Sequence, residues 1–296
     1  MKIAICTPSG NIGSKITERL LNMGGQELIL LSRNPEKLAG AVSRGAEVIP
    51  GDLNDATYIT RATAGVDAFF VLIPPRYETD DLVAYYSLIA ENAAAAIKAN
   101  GIPRVVFLSS IGAHLERGVG PVNGLHRAEK IIRQEAENLI ILRPAFFMEN
   151  YLMALPGISQ AKSIFMPIDG KTTIPMVATE DIAEAAAGYL TDEFIGVHIK
   201  PLHGPKDYSF AEAAEIIGTS LSEKIIHVKA PREQTREALQ NMGVSEHVAG
   251  LMLEMYDAME SGHMTDEFPR SPETTTRTTL DEFAEKFIAP AVRTGV

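Results

Sequence analysis

Several things this 296-residue chain lacks narrow its chemistry. It has one cysteine, Cys6, set in the apolar run Ile3-Ala4-Ile5-Cys6, so no disulfide can form within it. The plain reading of Cys6 is a small hydrophobe buried in a strand. Basic residues are too few: 27 Lys and Arg face 38 Asp and Glu, a net charge of −11. That balance repels phosphate backbones, no basic run offsets it, and nucleic acid is not expected as a partner. The apolar run before Pro8 and Gly10 is too short for a secretory signal, and no stretch approaches the ~20 apolar residues of a membrane span. A cytoplasmic protein with no membrane partner is expected. No His-x-x-x-His or Cys-x-x-Cys spacing occurs, so no metal site is expected. No Gly-x-Ser-x-Gly elbow occurs, which argues against a hydrolase. Internal repeats and low-complexity segments are also missing.

With 46% hydrophobic and 22% charged residues, the chain can bury a sizeable core. Apolar runs alternate with helix-spaced segments through its first half. Strands are expected at 2–6, 27–31, 47–49, 68–73, 104–108 and 139–142. Helices are expected at 11–22, 35–44, 55–64, 80–100 and 126–136. Continuous rather than alternating apolar strands are buried on both faces. With helices between them they form a doubly wound parallel sheet of Rossmann type, α/β in class. The expected division is a dinucleotide-binding domain over 1–150, completed by about 178–202, and a smaller α/β lobe over 151–296. In that lobe the spacing predicts helices at 180–190, 210–217, 233–242, 246–259 and 281–287, and strands at 197–199 and 225–228. The lobe is expected to close over the sheet edge.

The first strand–helix turn reads Thr7-Pro8-Ser9-Gly10-Asn11-Ile12-Gly13. Gly10 permits a pyrophosphate to approach backbone N–H groups, Gly13 permits helix and strand to pack closely, and the phosphates would sit at the positive helix end. The second strand ends Ser32-Arg33-Asn34, with no Asp or Glu to hold a ribose diol. Arg33 can instead pair with a 2′-phosphate, which points to NADP over NAD; the plainer reading is a solvated surface arginine.

From these residues onward the chain resembles the NmrA-like group of atypical short-chain dehydrogenases/reductases. The likeness is carried by Thr7 to Gly13, Ser32 to Lys37, Gly51-Asp52-Leu53-Asn54-Asp55, Ser109 to Ala113, His126 to Lys130 and Arg143 to Asn150. Arg270-Ser271-Pro272 and the Thr-rich run before Phe283 are similar to the azo-dye and triphenylmethane-dye reductase branch, which is quinone-reductase-like. The resemblance implies a cofactor site of Thr7, Ser9, Gly10, Asn11, Ile12, Gly13, Arg33, Asp52, Leu53, Ile73, Pro74, Ser109, Ser110, Lys130, Pro144, Ala145 and Phe147. The chain departs from the group twice. Thr7 stands where the loop has its first glycine, and His126-x-x-x-Lys130 stands where standard short-chain dehydrogenases have Tyr-x-x-x-Lys.

The candidate catalytic residues are Lys130, His126 and Ser109. Lys130 and His126 share one helix face. Lys130 would hold the nicotinamide ribose, and Ser109 or Ser110 would bond ribose or substrate; a solvated lysine, a structural histidine and loop-capping serines are the plain alternatives. Phe146, Phe147 and Met148 are expected to border the nicotinamide or to be simple core. Tyr151 is a candidate substitute proton donor. Met242, Met252, Met255, Met259 and Met264 form an adaptable apolar lid or helix-spaced core. Two functions fit. One is an NAD(P)H-dependent reductase passing hydride to a flat, electron-poor acceptor of quinone, azo, imine or triphenylmethane type. The other is a non-catalytic dinucleotide sensor acting through a protein partner. A small aromatic acceptor is the expected partner, with a homodimer compatible.

Overall fold

The computed structural model describes residues 1–265 and 269–294. The chain runs β1 (Lys2–Cys6), α1 (Asn11–Met23), β2 (Glu27–Ser32), α2 (Ala39–Val42), β3 (Glu47–Pro50), α3 (Ala56–Ala62) and β4 (Ala68–Val71). It continues with α4 (Leu82–Asn100), β5 (Val105–Leu108), α5 (Val122–Glu135), β6 (Leu139–Pro144), β7 (Phe146–Phe147), α6 (Leu155–Ala161), β8 (Ser163–Met166) and β9 (Thr173–Val177). Then follow α7 (Thr179–Thr191), β10 (Val197–Leu202), β11 (Asp207–Ser209), α8 (Phe210–Leu221), β12 (Ile226–Lys229), α9 (Arg232–Asn241), α10 (Glu246–Glu260), α11 (Leu280–Phe283) and α12 (Ala289–Thr294).

Seven strands form one parallel sheet in the order β10-β6-β5-β4-β1-β2-β3. The order reverses between β1 and β4, where doubly wound sheets bind ligands beyond the strands' carboxyl ends. Period-two alternation sorts the strand residues into two cores. Ala4, Ile29, Phe69, Phe107 and Ile141 face the layer holding α3, α4 and α5. Ile3, Ile5, Phe70, Val106 and Ile140 face the layer holding α1 and α7. A third core, with Phe146, Tyr151, Met176, Phe210 and Phe283, lies in the second half of the chain.

The structure differs from the sequence reading at several points. The segment 35–44 is a 3₁₀ turn over Pro35–Leu38 followed by one short helical turn, with Gly40 weakening its interior. Helix α5 begins at Val122, not His126. Gly124 disguises its first turn, and a Cβ there would lie 2.7 Å from the Tyr86 ring. The tail is a short α11 continued by a π-helical turn over Ala284–Ile288 and by α12. Strands β7, β8, β9 and β11 were not expected. Three are too short for alternation to show, and β9 carries Pro175, which argues against a strand. They build a three-stranded sheet, β11-β9-β7, and a two-stranded one, β12-β8. At the sheet edge, only β10 extends the order beside β6. Elements α9 and α10 instead face the carboxyl ends of β4, β5 and β6 across a cleft. No described helix is long and apolar enough to cross a membrane.

Candidate active site

The β1–α1 turn is held by the Gly10 amide, which donates to the Thr7 carbonyl at 2.9 Å. Gly10 is the N-cap of α1, with extended backbone, no side-chain cap and no acidic residue in the first turn. The positive helix end is therefore open to an anion. A Cβ on Gly13 would stand 2.2 Å from the Thr7 carbonyl oxygen, so glycine is required there for close packing. Thr7 adopts φ +52°, a strained conformation for a β-branched residue. Its Oγ1 is buried without a hydrogen-bond partner. Ile12 buries its side chain, leaving only its amide to the turn. Open amides, a glycine cradle and an orphaned hydroxyl are what a pyrophosphate site needs, and the loop fits that group.

At the end of β2, Arg33 is exposed, while the buried Ser32 accepts from the Asn34 amide at 3.1 Å. The Asp52 carboxylate accepts from the Asn54 amide and side chain and so shapes the turn after β3. The Leu53 carbonyl accepts from Asn92. Sequence reasoning missed Arg76, just beyond Pro74 and the buried Ile73 at the end of β4. Its guanidinium lies 5.7 Å from the Tyr85 ring centroid. Burial, then Asp52, pushes the Tyr85 hydroxyl up, while Arg33 and Arg76 oppose that rise. Glu78 is held below the usual carboxylate range by its own backbone amide, then by Arg76 and Arg33. Arg33 and Arg76 thus act together on Glu78 and Tyr85, with Asp52 beside them.

A cleft of about 770 Å³ opens beyond β5 and β6, within the ~300–1,000 Å³ of small-molecule sites. Asn11, Ser110, Ala145 and Phe147 of the expected cofactor set line it, as do Phe146 and all five expected methionines. Tyr77 and Tyr256 line it too, and sequence reasoning missed both. Burial, then the neighbouring Tyr77, pushes the Tyr256 hydroxyl up, so it stays a proton-bearing donor at neutral pH. Glu149 is the cleft's one carboxylate among the described lining residues. It accepts from Lys15 Nζ at 3.1 Å, from the Thr179 amide at 3.0 Å and from the Thr179 hydroxyl. The carboxylate thereby joins the N-terminal turns of α1 and α7.

The three candidate catalytic residues are not brought to this lining. Ser109 is buried and donates to Glu129, whose carboxylate also accepts from Arg143 Nε at 2.9 Å and pairs with Arg143 Nη2 at 2.5 Å. The Ser109 hydroxyl is thus part of a buried network with Glu129 and Arg143. His126 places Nδ1 2.8 Å from the Ala113 carbonyl, and its Nε2 is buried without a partner. Lys130 is exposed on α5. Tyr151 is fully buried with its hydroxyl 3.7 Å from the Met176 sulfur, and burial drives that hydroxyl far up. It cannot reach an acceptor. Met148 is fully buried in the third core. Pro144 is buried as well, its carbonyl accepting from the Ile111 amide at 2.9 Å. Among the described residues, no group of three or more His, Cys, Asp or Glu could hold a metal.

The sheet order and its glycine turn define a dinucleotide-binding Rossmann protein. A family model described as NAD(P)H-binding matches residues 9–193, and the chain belongs to that family. It is 27% identical over 289 residues to an NAD(P)H azoreductase from Xenophilus azovorans, covering 97% of this chain and 98% of that one. A triphenylmethane reductase from Citrobacter sp., complexed with NADP(H), superposes with a TM-score of 0.81 at 23% identity, covering 98% of this chain and 100% of that one. An NADPH-dependent quinone oxidoreductase from Escherichia coli, complexed with NADPH, gives 0.82 at 20% identity, covering 97% and 99%.

Proposed function

We propose that the chain is a cytoplasmic NADPH-dependent reductase that passes hydride to flat, electron-poor organic acceptors such as quinones, azo compounds, imines or triphenylmethane dyes. The observation that carries this reading is the apolar cleft beside the nucleotide loop, with Asn11 on its wall. The bound dinucleotide supplies the hydride. Amides of the Gly10–Gly13 turn and the Thr7 hydroxyl hold its pyrophosphate, and Arg33 holds the 2′-phosphate. Phe147, Ala145 and Ser110 border the nicotinamide end. Lys130, off the cleft lining, binds the cofactor ribose and does not act on the acceptor. The acceptor lies against the α9–α10 wall, where the Tyr256 hydroxyl, with no protein partner among the described residues, donates a hydrogen bond to its carbonyl or nitrogen. An electron-poor acceptor takes hydride with little acid assistance, so the displaced tyrosine is not needed. The test is NADPH oxidation, followed by loss of reduced-nicotinamide absorbance, against quinones and dyes. Turnover of at least one acceptor is expected. Tight NADPH binding with no turnover of any would reject the reductase in favour of a dinucleotide sensor, a reading suggested by the engagement of Ser109 and His126 elsewhere.

A further inference from the structure

The wall of the cleft also states what charge its occupant carries. Seven of the 11 methionines line it, including Met252, Met255 and Met259 on α10, together with Phe147 and Phe165. No lysine, arginine or histidine does so among the described residues. Several basic side chains close in sequence to the lining are already engaged, Arg76 among them, paired with Glu78 at 3.1 Å. Arg232 pairs with Asp257 at 2.5 Å, Arg236 with Glu233 at 3.4 Å, and Lys15 with Glu149 at 3.1 Å. Glu149 itself has its oxygens filled by Lys15 and Thr179, and no lining side chain among the described residues offers an anion a counter-charge. The molecule as a whole, at −11, repels one on approach.

We propose that the cleft selects multi-ring acceptors bearing no anionic group and excludes sulfonated, carboxylated or phosphorylated ones. This rests on the reductase reading and goes beyond it. A sulfonate entering the cleft gives up hydration and finds thioether, aromatic, hydroxyl and carboxamide side chains but no cationic one, the positive end of α1 being taken by the cofactor's pyrophosphate, while a neutral ring system gains dispersion from polarizable sulfur. A planar ring set slides between α10 and Phe147 without any change in ionic contacts. Methionine side chains adapt to different ring outlines, so the selection is by charge and not by shape.

The decisive comparison uses a methylnaphthoquinone and its ring-sulfonated counterpart. Sulfonation makes the ring easier to reduce, so driving force alone would favour the sulfonate. The expected kcat/KM is instead about 10- to 100-fold lower for the sulfonate, the order expected for leaving one charge unpaired. Equal or better reduction of the sulfonate would overturn the proposal. Equilibrium dialysis of both naphthoquinones against NADP⁺-loaded protein reads the same preference without turnover. Preferential binding of the neutral ring with no reduction would therefore reject the reductase and keep the charge selection. Met255→Lys adds a cation to the wall. It should narrow the ratio by about tenfold, chiefly by tightening the sulfonate. A ratio unchanged in a folded Met255→Lys protein that still binds NADPH would place the acceptor elsewhere and reject the proposal.

Discussion

The carbonyl oxygen of Thr7 stands 2.2 Å from the point where a Cβ on Gly13 would lie. A Cβ is fixed to its own backbone and the oxygen belongs to the backbone, so neither side can swing away. Gly13→Ala should therefore cost about 3 kcal/mol or more and abolish NADPH binding in whatever remains folded. Gly10 is different. Its extended φ of −80° suits any residue, and a Cβ there would meet the same oxygen at 3.2 Å. Gly10→Ala should stay within about 1 kcal/mol of wild type. Thermal melts and NADPH titrations of the two variants check the asymmetry, and similar losses for both would contradict it.

Thr7 carries strain worth on the order of 1–3 kcal/mol at φ +52°. Thr7→Gly relieves it, less about 0.5–1 kcal/mol of added backbone entropy in the unfolded chain. The apo protein should melt about 2–4 °C higher per kcal/mol gained. If the buried Thr7 hydroxyl meets the pyrophosphate, the same variant should bind NADPH several-fold more weakly. A variant that is stabilised with unchanged affinity would make Thr7 a structural oddity and remove it from the cofactor site.

The buried trio Ser109, Glu129 and Arg143 makes a second contrast. Arg143→Met strands a buried carboxylate and should cost about 3–5 kcal/mol. Ser109→Ala removes one neutral donor to that carboxylate and should cost about 1 kcal/mol. Because the Ser109 hydroxyl is spent on Glu129, kcat should stay within about threefold of wild type. A collapse of kcat in a stable Ser109→Ala enzyme would return Ser109 to the catalytic set. Lys130→Ala should raise the KM for NADPH and leave kcat nearly unchanged, since the ammonium is off the acceptor cleft.

Most of the fold was legible because most strands of the seven-stranded sheet, such as Phe69-Phe70-Val71 in β4, are short apolar runs between turn residues, with helix-spaced segments between them. The loop after β1 was legible because glycine chemistry there is local. In the second half, α7 to α10 and the strands β10 and β12 were legible too, but β7, β8 and β11 are too short to show a pattern and β9 contains Pro175. The cleft wall was legible only in part. The methionines of α10, with Met242 just after α9, suggest an apolar face, but nothing local reveals that Tyr77 and Tyr256 meet across more than 170 positions of chain. Nor does sequence spacing disclose that Ser109 is claimed by Glu129, a partner 20 positions away.

Alkaline pH supplies another test. Burial pushes the Cys6 thiol up to about 12, partly offset by the Leu72 backbone, and pushes the Tyr58 hydroxyl to about 12 as well. Both groups stay protonated more strongly in the folded state than in the unfolded chain. Their contribution to stability is thus complete below about pH 9 and is lost as pH rises through the folded values. Chemical denaturation between about pH 8 and about pH 11 should show falling stability. Cys6→Ala should flatten part of that slope, and native Cys6 should resist thiol reagents until the protein unfolds. Rapid labelling of the native thiol would contradict the burial of Cys6.

Cofactor choice rests on Arg33. No carboxylate stands at the end of β2, where Ser32 accepts from the Asn34 amide, and one oxygen of Asp52, after β3, is already engaged by Asn54. Arg33 is exposed, and Arg76 and Arg33 together act on Glu78 and Tyr85. A charge-assisted arginine–phosphate contact is worth about 1.5–3 kcal/mol, and exposure brings it to the lower end. At about 1.4 kcal/mol per tenfold, NADPH should bind roughly tenfold more tightly than NADH. Arg33→Ala should erase most of that ratio by weakening NADPH alone, because NADH offers the guanidinium no phosphate at that carbon. Arg76→Ala should weaken NADPH less, since its guanidinium is shared with Glu78 and the Tyr85 ring. Added salt should shrink the preference in the wild type and leave the Arg33→Ala ratio unmoved. Side-by-side dissociation constants for both cofactors at low and high salt decide the matter. Equal wild-type affinities, or an Arg33→Ala protein that loses both cofactors alike, would make Arg33 an ordinary surface residue and reject the NADP assignment.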